Sequence, residues 1–172
     1  MKLKKFFAAA AAVLAPVILL TGCGNNGGGN TNTDGGAGTP APDVEPAVIV
    51  SAVLDEIPIT SGVEKSKADI PDFYSDIDVS QVESAAFVIC ASGAYPDELA
   101  VMKCADSAAA GAVKSAFEKR LSAQSELYST YTPDEMYKLE SAKVYTVGNY
   151  AVFLAVSDND RAKEIADALL TV

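Results

Sequence analysis

Residues 85–105 read AAFVICASGAYPDELAVMKCA, and this stretch decides the fold. Residues 85–91 and 98–105 are apolar runs of strand length, and the SGAYPD between them is rich in the residues of turns. We therefore predict two neighbouring antiparallel strands joined by a turn. Asp106-Ser107 follows directly and is typical of a helix N-terminus, so a long helix is predicted to begin there.

The same order of elements recurs further along the chain. Residues 142–147 and 150–156 are again strand-like, and Gly148-Asn149 between them suits a two-residue primed turn. A last helix is predicted after this hairpin, and Ala100-Val101-Met102 corresponds to Ala151-Val152-Phe153 at a constant offset. We infer two ββα units, and a diverged duplication and a chance similarity both remain open.

These units predict an α+β fold. Residues 46–56 begin with proline and carry apolar residues at helical spacing, which predicts an N-terminal helix. Two adjacent hairpins would form a four-stranded antiparallel sheet with helices packed on one face, and residues 46–172 suffice for a single domain. Residues 85–91 and 150–156 are apolar on both faces, so the first helix, the Phe73-Tyr74 segment or another protein has to cover the second face.

The N-terminus predicts where the chain is located. Three lysines precede an apolar run over residues 6–20, and Leu20-Thr21-Gly22-Cys23 forms a lipobox. Residues 1–22 are therefore predicted to be a lipoprotein signal peptide, with fatty acids such as palmitate carried on Cys23 at the extracytoplasmic face of the cell membrane. The alternative, a retained transmembrane helix, is disfavoured because the run has 15 residues, fewer than the roughly 20 that a bilayer span needs.

Residues 23–45 form the lipidated cysteine and a Gly-, Asn- and Pro-rich stretch, which we interpret as a disordered tether. From Cys23 onward the chain has 10 Lys and Arg against 23 Asp and Glu, a formal charge of −13. Phosphate backbones and anionic headgroups would repel such a surface. We therefore expect no nucleic-acid partner, and membrane attachment only through the lipid on Cys23.

The composition also bears on chemistry. The chain has no histidine, which excludes Ser-His-Asp and Cys-His nucleophile systems and imidazole metal sites. The common nucleotide-binding and hydrolase motifs are absent from the sequence as well. No cofactor and no metal are therefore predicted. Four acids between residues 69 and 78 could be calcium ligands, but the spacing of a calcium loop is missing, so solvated acids and helix caps are expected there.

Two cysteines remain when Cys23 is lipidated. An exported pair normally predicts a disulfide. If the first hairpin turns near Tyr95, however, Cys90 faces Ala100 or Val101 and Cys104 lies three or four residues further along the strand. That offset of roughly 10 Å exceeds the Cα separation that a disulfide tolerates. We expect two reduced, buried thiols.

Candidate ligand-binding residues cluster near turns. Tyrosines beside carboxylates could stack on wall sugars or hold a cationic peptide. The alternative is that they are ordinary loop and core residues. The candidates are Tyr95, Asp97, Glu98, Tyr131 and Tyr137.

Several segments resemble a known family. Besides the lipobox and the tether, they are Asp55-Glu56-Ile57-Pro58, SGAYPDELAV at residues 92–101 and GNYAV at residues 148–152. Together they are similar to small uncharacterised bacterial lipoproteins, common in clostridia-like Gram-positive bacteria, that carry a C-terminal domain of unknown function. The resemblance covers about residues 47–170. It implies an anchored envelope protein and supplies no activity.

Three classes of function stay open. An anchored, non-enzymatic binding or interaction module of the cell envelope is expected first, with an envelope protein or a cell-wall ligand as its partner. A structural or assembly accessory of the envelope comes second, and an uncovered apolar sheet face would favour it. A histidine-independent enzyme comes third, and two carboxyl groups held roughly 5–10 Å apart in a cleft would favour it.

Overall fold

A five-stranded antiparallel sheet forms the centre of the computed structural model, which describes residues 43–171. The strands are β1 (Gly62–Ser66), β2 (Val82–Cys90), β3 (Glu98–Cys104), β4 (Lys143–Val147) and β5 (Tyr150–Ala155). Their order across the sheet is β1-β2-β3-β5-β4. The helices are α1 (Pro46–Glu56), α2 (Ile70–Phe73), α3 (Ser107–Tyr131), α4 (Met136–Glu140) and α5 (Asn159–Leu170). The α+β class is confirmed.

The prediction of four strands is wrong, because β1 adds a fifth at the edge of the sheet. Its sequence, Gly-Val-Glu-Lys-Ser, is polar and mostly exposed, so it lacks the apolar run that marks a buried strand. Backbone pairing alone places it, with Val63 opposite Ile89 and Lys65 opposite Phe87. Polar side chains are suited to an edge strand because they discourage pairing with other chains.

The helices cover both faces of the sheet, so the prediction of one covered face is also wrong. On one face α3 packs against Phe87, Met102 and Phe153, together with residues from the 70–82 segment. On the other face α1 and α5 pack against strand residues that include Val101 and Val152. The apolar character of β2, β3 and β5 on both sides is thus explained by two cores within this chain.

The two predicted ββα units are only partly equivalent. Val101 on β3 lies directly opposite Val152 on β5, and these two residues correspond in the two hairpins. The hairpins are therefore arranged symmetrically about this pair. The helices break that symmetry, because α3 covers one face and α5 the other, whereas a two-fold axis perpendicular to the sheet would place both on the same face.

The chain enters the domain at the end of the sheet where β3 finishes and β5 begins. The Tyr150 hydroxyl accepts a hydrogen bond from the Val44 backbone N–H at 3.0 Å and donates one to the Val44 carbonyl at 2.8 Å. Beside it, Lys103 forms an ion pair with Asp43 at 2.6 Å. These contacts hold Asp43 and Val44, the first two residues that the structure describes, at this end of the sheet.

The turn between β4 and β5 gives the first testable prediction. Gly148 has a φ of 55°, which suits the first central position of a primed hairpin turn. Gly148→Val should lower the free energy of unfolding by about 1–3 kcal/mol, because a β-branched residue reaches this conformation only with strain. The urea midpoint of the variant measures the loss.

Gly93→Val is the matched control, because Gly93 lies in the other hairpin loop and a Cβ there would meet no atom within 4 Å. Its midpoint should stay close to that of the parent. Equal midpoints for the two variants would contradict the strained turn. Gly38, in the predicted tether, lies outside the described residues, and Gly38→Val is expected from the sequence to change nothing.

Candidate functional site

The candidate site begins at the far end of the sheet from Asp43, where the first hairpin loop leads into β3. Asp97 and Glu98, two of the residues predicted from the sequence, lie here side by side. Both are buried, with 8% and 1% of their surfaces exposed. Burying a carboxylate is costly unless it is paired and hydrogen-bonded, so the groups around these two side chains define the site.

Glu98 is held by three side chains from distant parts of the chain. Tyr74 donates its hydroxyl to Glu98 Oε1 at 2.5 Å. Arg120 Nε lies 2.6 and 2.8 Å from the two carboxylate oxygens, and Gln124 Nε2 donates to Oε2 at 3.2 Å. The guanidinium also lies over the Tyr74 ring, 5.3 Å from its centroid. The carboxylate is fully paired, and α3 is joined to the sheet and to the segment after α2.

The surroundings of Glu98 shift the pKa values of Tyr74 and Arg120. Burial, together with the negative charge and hydrogen bond of Glu98, raises the pKa of Tyr74 well above its ordinary value, so this phenol stays a donor. Burial alone would lower the pKa of Arg120, but the hydrogen bond and charge of Glu98 outweigh it and raise the pKa. The network is a charged pair with a neutral tyrosine.

Asp97 has a separate cation. Lys138, from α4, lies 2.7 Å from Asp97 Oδ2 and 2.7 Å from Glu135 Oε2. Burial lowers the pKa of Lys138, whereas the hydrogen bonds of these two acids and the charge of Asp97 raise it, and the net shift is upward. The Tyr95 and Tyr137 rings flank the ammonium group at 5.4 and 5.7 Å from their centroids. Lys138 therefore joins the hairpin loop to α4.

The predicted tyrosines all stand at this end of the domain. Tyr95, Tyr131 and Tyr137 are 37%, 73% and 49% exposed. Tyr128, in contrast, is buried and donates its hydroxyl to the Tyr95 carbonyl at 2.9 Å, which fixes the end of α3 to the loop. The structure thus brings Tyr95, Asp97 and Tyr137 together around Lys138, while Glu98 lies in the neighbouring network and Tyr131 on the last turn of α3.

Sequence reasoning missed the residues that pair with the two carboxylates. Arg120 carried the clearest signal, because it lies at helical spacing from Phe117 and Gln124, on the same side of the long helix as this large apolar residue. A buried arginine needs a carboxylate partner, and Glu98 begins a buried strand. Nothing comparable marked Lys138, since α4 has five residues and shows no clear periodicity.

An open groove of about 320 Å³ borders the Glu98 network. It lies between residues 73–76 and α3, and we call it the α3 groove. Arg120 and Gln124 line it on the polar side, and Phe73 and Leu127 on the apolar side. An adjoining shallow depression shares Ala123 and Leu127 with it and continues to Tyr131.

The acids between residues 69 and 78 serve as caps and ion pairs. Hydrogen bonds from Ser66, Lys119 and Ser80 are the largest influences on Asp69, Asp76 and Asp78 respectively, and each lowers the pKa of its carboxyl. Asp72 is exposed on α2. In the part of the chain that the structure describes, no group of three or more Cys, Asp or Glu side chains is placed to hold a metal ion.

Cys90 and Cys104 are free thiols, as predicted. The expected register is wrong, because Phe87 lies opposite Ala100, and Cys104 lies opposite Val82 at the far end of β2 from Cys90. Burial is confirmed only for Cys104, whose pKa burial and nearby acids raise to about 11. Cys90 is half-buried, and its thiol donates to the Thr60 carbonyl at 3.1 Å.

The lipobox, Cys23 and residues 1–42 as a whole lie outside the described residues. Within residues 43–171, no helix combines the length and apolar character that crossing a bilayer requires.

A family described as a domain of unknown function, DUF4358, matches residues 56–157. The chain belongs to the DUF4358 family. No curated protein and no solved structure matches the chain significantly. The DUF4358 match contains all five strands, α3, α4 and every residue of the two charged networks. Most of α1 and all of α5, which cover one face of the sheet, lie outside it.

Proposed function

We propose that this chain is a lipid-anchored, extracytoplasmic lipoprotein whose DUF4358 domain is a non-enzymatic binding module of the cell envelope. The lipobox ending at Cys23 supports the anchor. The Gly-rich residues before Asp43 suit a spacer between the anchor and the domain. The resemblance to small bacterial lipoproteins supports the same location.

One structural observation carries the binding role: all three exposed tyrosines stand at the end of the domain far from Asp43. Lys103, which pairs with Asp43, and Glu98 lie at opposite ends of β3, a separation of roughly 16 Å at the rise of a strand. Tyr95, Tyr131 and Tyr137 lie at the Glu98 end. A protein anchored through residues before Asp43 would have this tyrosine surface at the end of the domain opposite its attachment, where a flexible spacer leaves it free to reach a partner.

Tyrosine suits such a role because its ring offers a large contact area and its hydroxyl a hydrogen bond, with few rotatable bonds to order. An envelope protein or a cell-wall ligand is the partner that this location favours. Asp97 and Glu135, the acids beside Tyr95 and Tyr137, are both paired with Lys138. This pairing reduces the repulsion of anionic ligands by a chain that carries a formal charge of −13 from Cys23 onward.

Two observations favour binding over the alternatives. The paired cations of Asp97 and Glu98 leave neither carboxylate as the free acid or base that hydrolysis needs. Both sheet faces are covered by helices of this chain, which removes the uncovered apolar face that would favour an assembly accessory.

The experiment combines localisation and capture on intact cells. The parent should incorporate a fatty-acid analogue and Cys23→Ala should not. Cross-linking followed by purification of the parent should recover a partner, and Tyr131→Ser with Tyr137→Ser should reduce that recovery at least fivefold. Val48→Ser is the matched control, because Val48 is 53% exposed on α1, near the Asp43 end.

Label on the Cys23→Ala protein would contradict the anchor. Recovery that survives the tyrosine changes, or that Val48→Ser reduces as strongly, would contradict the tyrosine surface. Urea midpoints of all variants establish that they fold, since exposed side chains contribute little to stability.

A further inference from the structure

The α3 groove is elongated, and its length is the first indication of what it binds. With the adjoining depression it follows α3 from Ala116 to Tyr131. Fifteen residue steps along a helix correspond to about 22 Å. An extended peptide covers that distance with about six or seven residues, whereas a single sugar or amino acid would fill only a part.

The charges that line the α3 groove itself are paired, and the adjoining depression adds one acid, the exposed Glu126. Lys119 pairs with Asp76 across it at 2.8 Å, and Arg120 pairs with the buried Glu98. A charged ligand would therefore lose its hydration without meeting a net charge of opposite sign, which is unfavourable. The groove favours an uncharged occupant.

Two polar side chains in the groove match the edge of a peptide. Gln124 turns its Nε2 toward Glu98, and since a carboxylate only accepts hydrogen bonds, its Oε1 is left as an acceptor. Arg120 uses Nε for Glu98 and Nη1 for the Phe73 carbonyl at 3.3 Å. Among residues 43–171, no acceptor takes its Nη2 protons and no donor reaches Gln124 Oε1. Arg120 can donate to a peptide C=O, and Gln124 beside it can accept from a peptide N–H.

Leu127 offers an apolar contact for a ligand, because its side chain is 49% exposed where the α3 groove meets the depression. We propose that the α3 groove binds an extended, uncharged peptide segment carrying an aliphatic side chain, with its backbone on Arg120 and Gln124 and the side chain against Leu127. This assignment rests on the proposed binding function and names the class of ligand.

The probe is the uncharged hexapeptide acetyl-Ala-Gln-Ala-Leu-Ala-Gln-amide, titrated into the purified, ¹⁵N-labelled full chain. It should bind saturably and shift the Arg120 Nε–H and Gln124 side-chain amide signals. Binding should weaken at least fivefold with Leu127→Ser and with Gln124→Met, and by less than twofold with Val48→Ser. Replacing the probe's leucine with aspartate should weaken binding at least tenfold, and N-acetylglucosamine should not compete.

The assignment is overturned if the leucine peptide does not saturate, if both groove variants bind like the parent, or if the aspartate peptide or the sugar binds more tightly. These outcomes are separate from the capture experiment. Partner recovery through the tyrosines without peptide binding would reject only this inference. Peptide binding without lipid on Cys23 would reject only the proposed anchor.

Discussion

Glu98→Ala should lower the free energy of unfolding by about 3–5 kcal/mol, the loss expected when one partner of a buried ion pair is removed. The change leaves Arg120 without its carboxylate and leaves the Tyr74 hydroxyl without its acceptor, which is 2.5 Å away in the parent. The Tyr74 hydroxyl would be buried without a partner, and the half-buried Arg120 would keep only its bond to the Phe73 carbonyl, so each group carries a desolvation cost. Urea unfolding followed by circular dichroism measures the difference.

Glu83→Ala is the matched control for this change. Glu83 also faces a cation, Lys103, at 3.4 Å, but its side chain is 51% exposed. Exposed pairs contribute about 0–1 kcal/mol, so this variant should unfold close to the parent. If Glu98→Ala also lost less than about 1 kcal/mol, the Glu98 network would not be a structural element of the domain.

The central strands could be predicted from the sequence because their signals are local. The predicted strands 85–91 and 98–105 fall on β2 and β3 within a few residues, and Gly148 takes the positive φ that the hairpin turn requires. Apolar runs bounded by turn residues depend only on neighbours in the chain. The first helix, over residues 46–56, was predictable for the same reason.

The covering of the sheet depended on contacts that periodicity does not encode. The sequence indicated that both faces of the strands were apolar but not which helix would take which face. α1 and α5 pack together on one face, joined by Arg161 and Glu56 at 2.9 Å. Because α1 and α5 lie far apart in the sequence, local sequence patterns do not predict that they pack together. β1 was missed because an edge strand can be stabilised by backbone pairing without an apolar face.

The candidate site, like the fold, could be predicted from the sequence only in part. The tyrosines and carboxylates could be named because they crowd a predicted turn. Their environment could not, because the partners of Glu98 and Asp97 come from α3, α4 and the segment after α2. The tertiary fold alone brings Arg120 and Lys138 to these acids. Burial of Asp97 and Glu98 therefore emerged only from the structure, and it moved the proposed ligand surface to the tyrosines and the α3 groove.

Phe117→Ala should also lower the free energy of unfolding by about 3–5 kcal/mol, since removing a buried phenylalanine loses its contacts and leaves a cavity. Phe117 is fully buried between Tyr74 and Phe153, with ring centroids 5.3 and 5.7 Å away, so it joins α3 to the sheet and to the segment after α2.

Tyr131→Ala removes an aromatic ring from the same helix and is the matched control for Phe117→Ala. Because Tyr131 is 73% exposed, its loss should change the free energy of unfolding by no more than about 0.5 kcal/mol. The two urea midpoints should therefore differ clearly although both changes leave alanine in α3. Similar midpoints would mean that α3 does not cover this face of the sheet, and the α3 groove, which depends on that packing, would fail with it.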